Sequence, residues 1–221
     1  MTNKPIRILL VDDHNLFRSG VRLLLQRNPE FEVVGEAGDG LEGVKRAKEL
    51  IPDIVLLDLH MPGLSGIEAT HFIRKETPSS HVVLLTVSED AEDLAAGLQA
   101  GAAGYLLKNI DAEYLLESLK KVMDGDSVIS ADMTKKLFAQ FRKSPTPVPA
   151  VSDTEKLTPR EREILSELAI GLSNKEIARK LDVAESTVKI HLQSILKKLE
   201  LNNRVQAAIY AVEHGLSANP S

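Results

Sequence analysis

Asp12 and Asp13 directly follow an apolar run, Ile6–Val11, and Asp58 closes another, Asp53–Asp58. Thr86 lies near the end of the run His81–Val87, and Lys108 follows Ala103–Leu107. If these runs are strands of one parallel sheet, the five side chains meet at its carboxyl edge, where ligand sites of such folds lie. Three carboxylates within a few Å repel one another unless a cation neutralises them. An oxygen-only set suits Mg2+, which keeps several waters and takes one or two carboxylates together with a phosphate oxygen. Asp58 is then positioned to attack phosphorus and form an acyl phosphate. Mg2+ and the Lys108 ammonium would offset charge on the transferring group, and the Thr86 hydroxyl would hydrogen-bond the product. One strand-end aspartate more commonly caps a helix or solvates an edge. Five residues of these types at strand ends define a pocket.

The elements that must carry this pocket can be read from the pattern around it. Five apolar runs, the four above and Phe31–Gly35, alternate with stretches of helical spacing such as Leu16, Val21, Leu24 and Leu25, or Leu41, Val44, Ala47 and Leu50. That alternation predicts five βα units and a parallel sheet covered on both faces. The runs around Ile54 and Val83 are almost without polar interruption, as strands buried on both sides require. Residues 131–142 have the composition of one more helix. Prolines at 145, 147 and 149 then favour an extended connector. The expected division is 1–125, a connecting segment 126–154, and a second domain at 155–216.

At 221 residues, 43% hydrophobic and 27% charged, the chain has enough apolar residue for two modest cores. It has no cysteine, which excludes disulfides, thiolate metal sites and thiol nucleophiles. No apolar stretch approaches the roughly 20 residues of a membrane span, and no signal-peptide pattern opens the sequence. No membrane association and a cytoplasmic location are therefore expected. The net charge of −5 is unevenly distributed. Residues 1–125 carry 13 Lys+Arg against 20 Asp+Glu, whereas 173–198 carry six basic residues against three acidic. So small an excess marks where to look for a polyanion, without establishing one.

From Leu157 onward the signals are helical. Thr158-Pro-Arg-Glu161 and Ser173-Asn-Lys-Glu176 are capping boxes, the first with proline at the opening helical position, and Gly171 between them is a helix stop. Glu185-Ser-Thr187 opens a third helix and 203–213 forms a fourth. Leu181-Asp-Val-Ala184 is short enough to join the second and third as a helix-turn-helix. On the third helix, Leu192, Ile195, Leu196 and Leu199 fall within about 80° of Val188, giving a buried stripe. Ser186, Ile190, Gln193, Ser194 and Lys197 lie opposite, with Lys189 on the flank. On a major-groove face Ile190 would pack against a thymine methyl; on an ordinary surface it needs no explanation. Val205, Ala208, Ile209 and Val212 form a stripe on the last helix, either for the domain's own core or for a second copy.

Leu10-Val-Asp-Asp-His14, Asp53-Ile-Val-Leu-Leu-Asp-Leu-His-Met-Pro-Gly63, Leu85-Thr86 and Gly104-Tyr-Leu-Leu-Lys108 resemble the receiver domain of response regulators, over residues 6–124. Leu157-Thr-Pro-Arg-Glu-Arg-Glu-Ile-Leu165, Gly171-Leu-Ser-Asn-Lys-Glu-Ile-Ala178 and Ser186-Thr-Val-Lys-Ile-His-Leu192 resemble the LuxR-type DNA-binding domain, over 155–214. Together the two are similar to the NarL/FixJ family. The resemblance implies a flavodoxin-like (βα)5 receiver with sheet order 2-1-3-4-5, followed by a four-helix helix-turn-helix domain. It implies phosphorylation at Asp58, Mg2+ held by Asp12, Asp13, Asp58 and the His60 backbone carbonyl, and phosphoryl contacts from Thr86 and Lys108. Tyr105 becomes the aromatic that moves inward with Thr86. Residues 185–199 become the recognition helix and the last helix a dimer contact. Glu185-Ser-Thr-Val-Lys189 and Leu196-Lys-Lys198 resemble a nitrate/nitrite-responsive member of that family, and the resemblance implies a second lysine on the reading face where this chain has Gln193.

The expected protein is thus a transcription factor and not an enzyme, its receiver assisting only its own phosphorylation and dephosphorylation. Its partners would be a sensor histidine kinase, double-stranded DNA bound as a homodimer, and RNA polymerase. Lys189, Ile190 and Gln193 are assigned to bases, and Lys175, Thr187 and Lys197 to phosphates. Val205, Ala208, Ile209 and Val212 are assigned to the dimer. A nucleotide-binding Rossmann-like reading fails because Asp12-Asp-His-Asn15 offers no glycine-rich phosphate cradle. An aspartyl-phosphate hydrolase would leave the helical domain unexplained. A receiver that is never phosphorylated would have no need of the intact aspartates.

Overall fold

Strands buried on both faces can take a long apolar run, and β3 (Ile54–Asp58) has all five of its residues inside. The computed structural model describes residues 4–130, Met133 and 156–216, which fall into two units. The expected helix at 131–142 and the proline-containing segment lie outside the described residues, apart from Met133. In the first unit β1 (Ile6–Val11), β2 (Phe31–Ala37), β3, β4 (His81–Thr86) and β5 (Gly104–Leu107) form a parallel sheet. They alternate with α1 (Asn15–Gln26), α2 (Gly40–Leu50), α3 (Gly66–Glu76), α4 (Ala91–Gln99) and α5 (Ala112–Met123). A two-residue strand, β6 (Val128–Ile129), pairs beyond β5 in the stretch read from sequence as connector, so the order is β2-β1-β3-β4-β5-β6.

One face of the sheet packs Ile8, Leu10, Leu56, Val83, Leu85 and Leu106 against Val21 and Leu25 of α1 and Leu115, Leu119 and Val122 of α5. Strand alternation turns Leu9, Val55, Leu57 and Leu84 to the other face, where they are buried too. Gly66 matters for the pocket. A Cβ there would lie 2.2 Å from the Asp58 carbonyl oxygen, so only glycine lets α3 start so close behind β3.

The second unit contains α6 (Pro159–Ala169), α7 (Asn174–Lys180), α8 (Glu185–Lys198) and α9 (Arg204–Glu213). Both expected capping boxes are formed, by Thr158 with Glu161 and Ser173 with Glu176. Gly171, with φ 85°, ends α6 while Leu172 N–H returns to the Glu167 carbonyl at 3.3 Å. Asp182, with φ 51°, does the same for α7 as Val183 N–H reaches the Ala178 carbonyl at 3.0 Å. A short polar side chain tolerates that left-handed backbone better than most. This Schellman geometry sets the sharp turn from α7 into α8. The core comprises Ile164, Leu165 and Leu168 of α6, Ile177 of α7, Val188, Leu192 and Ile195 of α8, and Ala207 and Ala211 of α9.

Candidate functional site

The parallel register brings the carboxyl ends of β1, β3, β4 and β5 together. Asp12 continues β1, its amide donating to the Ala37 carbonyl at 3.2 Å. Asp58 is opposite Leu85, and the Lys108 amide donates to the Thr86 carbonyl at 2.7 Å. At this edge Lys108 Nζ lies 2.7 Å from Asp58 Oδ2 and 2.8 Å from Asp12 Oδ2. It also sits over the Phe17 ring, 4.9 Å from its centroid. The Lys108 ammonium is thus held by an aromatic face and two buried carboxylates.

His14 is the neighbour that the sequence-based site omitted. Its Nδ1 is 2.8 Å from Asp13 Oδ1, 3.3 Å from Asp12 Oδ1 and 3.7 Å from Asp58 Oδ2. One ligand atom from each of Asp12, Asp13, His14 and Asp58 falls within 4.8 Å of the others. Asp12 Oδ2 and Asp13 Oδ1 are shielded from solvent, the first 2.8 Å from Lys108 Nζ and the second 2.8 Å from His14 Nδ1. Three ionised carboxylates against one ammonium leave two negative charges, the amount a divalent cation removes. The donor set therefore fits Mg2+.

Burial pushes the Asp58 carboxyl above its ordinary range, the Lys108 hydrogen bond pulls it down, and the Asp12 charge pushes it up again; the net shift is upward. For Lys108, burial disfavours the ammonium, but hydrogen bonds to Asp12 and Asp58 outweigh it and raise the pKa. The backbone N–H of His60 makes a long 3.4 Å contact to Asp58 Oδ1, and its imidazole lies 3.6 Å from Asp93. Arg18 of α1 was also missed. Its guanidinium donates to the Asp12 carbonyl, to Glu36 at 3.1 Å and to Asn15 at 2.7 Å, tying the turn that bears both aspartates to β2 and α1.

Thr86 and Tyr105 are fully buried and converge on Ser88. The Ser88 amide donates to Thr86 Oγ1 at 2.9 Å, and the Tyr105 hydroxyl donates to the Ser88 carbonyl at 3.2 Å. Burial above all pushes the Tyr105 phenol up to about 12, so it stays a donor at neutral pH. Ser88 Oγ in turn donates to Asp93 at 2.6 Å.

In the helical unit, α8 divides as expected along most of its length. Val188, Leu192, Ile195 and Leu199 are buried, whereas Ile190 is 66% exposed and Gln193 and Lys197 are exposed beside it. Thr187 and Lys189 are half-buried, with Lys189 3.5 Å from Glu185, and Lys175 of α7 is exposed. Ser194 is a correction. Its hydroxyl turns inward and donates to Glu161 Oε1 at 2.6 Å, so it does not belong to the outer face. On α9, Val205, Ala208 and Ile209 are half-buried and Val212 is 48% exposed. The core takes Ala207 and Ala211 instead.

Glu161 is 3% exposed and accepts from Ser194, from Lys198 Nζ at 2.7 and 2.9 Å, and from the Thr158 amide at 2.7 Å. Burial opposes its ionisation, but Lys198, Ser194 and Thr158 outweigh burial and hold the carboxyl at about 2, against an ordinary 4.5. A depressed folded-state pKa gives stability that is complete above the unfolded value and lost as pH falls toward the folded one. The helical unit should therefore lose stability between about pH 4.5 and 2, and Glu161→Gln should flatten that slope at a cost of about 2 kcal/mol at neutral pH. Denaturant unfolding across this pH range, monitored by circular dichroism, measures both.

A parallel sheet with an acidic pocket at its carboxyl edge, joined to a helix-turn-helix, defines a class of signalling regulator. Residues 8–120 match the model of the response regulator receiver domain, and residues 155–211 that of the bacterial regulatory proteins of the luxR family. The nitrate/nitrite response regulator protein NarL of Escherichia coli K12 is 44% identical over 95% of this chain and 97% of its own length. The transcriptional regulatory protein LnrK of Bacillus subtilis is 39% identical over 96% and 99%. A solved structure of the response regulator RcsB–DNA complex is similar at 25% identity with a TM-score of 0.57, covering 95% of this chain and 99% of that one. The chain belongs to the NarL/FixJ family of two-component response regulators, with a receiver and a LuxR-type DNA-binding domain. Among the described residues no helix is long and apolar enough to cross a membrane.

Proposed function

We propose that this protein accepts a phosphoryl group on Asp58 from a sensor histidine kinase and thereby gains affinity, as a dimer, for specific DNA in the cytoplasm. The observation that carries the reading is Lys108 bridging two buried aspartates, with a third carboxylate beside them. Asp12, Asp13, Asp58 and the carbonyl of His60 would hold Mg2+, which supplies positive charge to the phosphoryl oxygens. Asp58 Oδ attacks phosphorus as the bond to the donor breaks, and Lys108 stays to pair with the new charge. Thr86 donates to the phosphoryl group, and its link through Ser88 to Tyr105 carries the change outward. Residues 1–125 are assigned to the receiver, 126–154 to the connection and 155–216 to the DNA-binding domain. The cation site is tested directly by titrating Mn2+ and measuring free ion by electron paramagnetic resonance. One ion should bind per chain, and Asp13→Asn should weaken it at least tenfold; unchanged affinity would remove Asp13 from the site.

On DNA, Lys189, Ile190 and Gln193 face bases in the major groove, while Lys175, Thr187 and Lys197 hold phosphates. The exposure of Ile190, Gln193 and Lys197 on one side of α8 supports this, as does the DNA-bound state of the relative RcsB. Val205, Ala208, Ile209 and Val212 form the dimer contact, supported by their incomplete burial in the single chain. RNA polymerase is the partner that a DNA-bound regulator would act upon. The likeness to NarL supports nitrate- or nitrite-responsive genes as targets. Each good base contact gives on the order of 1–3 kcal/mol of discrimination, whereas a phosphate contact adds affinity without choice. Gln193→Ala should therefore relax preference at one base pair. Lys197→Ala should weaken all sequences alike and lower the salt slope by about one. Binding to an array of operator variants at several salt concentrations separates the two, and the opposite pattern would exchange their roles.

A further inference from the structure

The buried carboxylate of Glu161 lies on α6, away from the reading face, yet two of its partners are on α8. Ser194 donates to Oε1 at 2.6 Å, and Lys198 Nζ reaches both oxygens at 2.9 and 2.7 Å. The same carboxylate closes the capping box at the start of α6 by accepting from the Thr158 amide. It is therefore fixed at its own end before it engages α8. The side chain of Lys198 is 33% exposed, so its charge would be available to a polyanion if Glu161 did not neutralise it. Lys197, one residue earlier, is exposed on the face that carries Gln193.

We infer that Glu161 is a specificity-determining positioning residue: it clamps the carboxyl-terminal half of the reading helix through Ser194 and Lys198 and withholds the Lys198 charge from DNA phosphates. Non-specific binding to DNA is almost wholly electrostatic and grows with each cation that reaches a phosphate. A protein that must find one site among many is served by keeping adjacent positive charge paired. The inference rests on α8 being the DNA-reading helix.

The test uses the full-length chain treated with acetyl phosphate, in five forms: unaltered, Glu161→Gln, Lys198→Gln, the double variant and a Lys197→Gln control. Affinity is measured for a mixed-sequence genomic duplex and for a duplex selected by the unaltered protein, across a series of salt concentrations. Circular dichroism checks the fold. Lys198→Gln alone should leave the salt slope on mixed-sequence DNA unchanged. Glu161→Gln should steepen it by about one and lower the ratio of selected to mixed binding several-fold. The double variant should return to the original slope, which a purely structural role for Glu161 would not produce. A slope that falls by about one in Lys198→Gln would overturn the inference, as would an unchanged slope in folded Glu161→Gln. If Glu161→Gln does not fold, the slope of Lys198→Gln decides alone. Absence of DNA binding by every form would overturn both the inference and the reading it rests on. A loss of slope in a Lys197→Gln control preserves that reading whatever happens at Glu161.

Discussion

Asp58→Asn should abolish the one-phosphoryl mass increase that acetyl phosphate and a divalent cation give the unaltered chain. An asparagine in place of Asp58 keeps the size and most of the contacts of the side chain, so the sheet edge should survive the change. What disappears is the oxygen anion proposed to attack phosphorus. Asp12 is equally buried, but it ends no strand opposite β4 and is tied by its backbone to Arg18 and Ala37. Intact-mass spectrometry with and without chelator reads the outcome. A full-strength mass increase in Asp58→Asn would move the nucleophile elsewhere.

Lys108→Ala should change two properties in opposite directions. The ammonium is the internal counter-charge for Asp12 and Asp58, at 2.8 and 2.7 Å. Without it the three carboxylates repel more strongly, so affinity for a divalent cation should rise. On the proposed mechanism the same ammonium offsets the charge that develops on the transferring group, and removing one such donor costs roughly 10²–10³ in rate. Mn2+ titration and the time course of the mass increase measure the two effects on one preparation. A merely disordered pocket would lose both, and a tighter cation with an unchanged phosphorylation rate would remove Lys108 from the chemistry.

How much of this was legible in the sequence differs from element to element. The parallel core was, because Ile54–Leu57 and Val82–Leu85 are apolar without alternation, which few other structures accommodate. The two capping boxes of the helical unit were, because each is a local pattern within a single turn. Strand β6 was not, since two residues have no periodicity to detect. Neither His14 nor Arg18 announced its contacts, which depend on how α1 leaves β1 and where Glu36 ends up. Ser194 lies on the polar side of the α8 wheel, but its acceptor is 33 residues away on another helix. For α9 the wheel followed valine and isoleucine, while the structure buries Ala207 and Ala211. Small side chains allow close helix approach and give little hydropathic contrast.

Control of DNA binding by phosphorylation at Asp58, as proposed, is tested by measuring both on the same sample. The full-length chain and Asp58→Asn are each treated with acetyl phosphate and Mg2+, then titrated with a duplex selected by the treated chain. Population shift requires phosphorylation to favour the DNA-competent arrangement by a few kcal/mol. The treated chain should therefore bind at least tenfold more tightly than the untreated one, with Asp58→Asn unresponsive. Equal affinity before and after treatment, with the mass increase complete, would contradict the account.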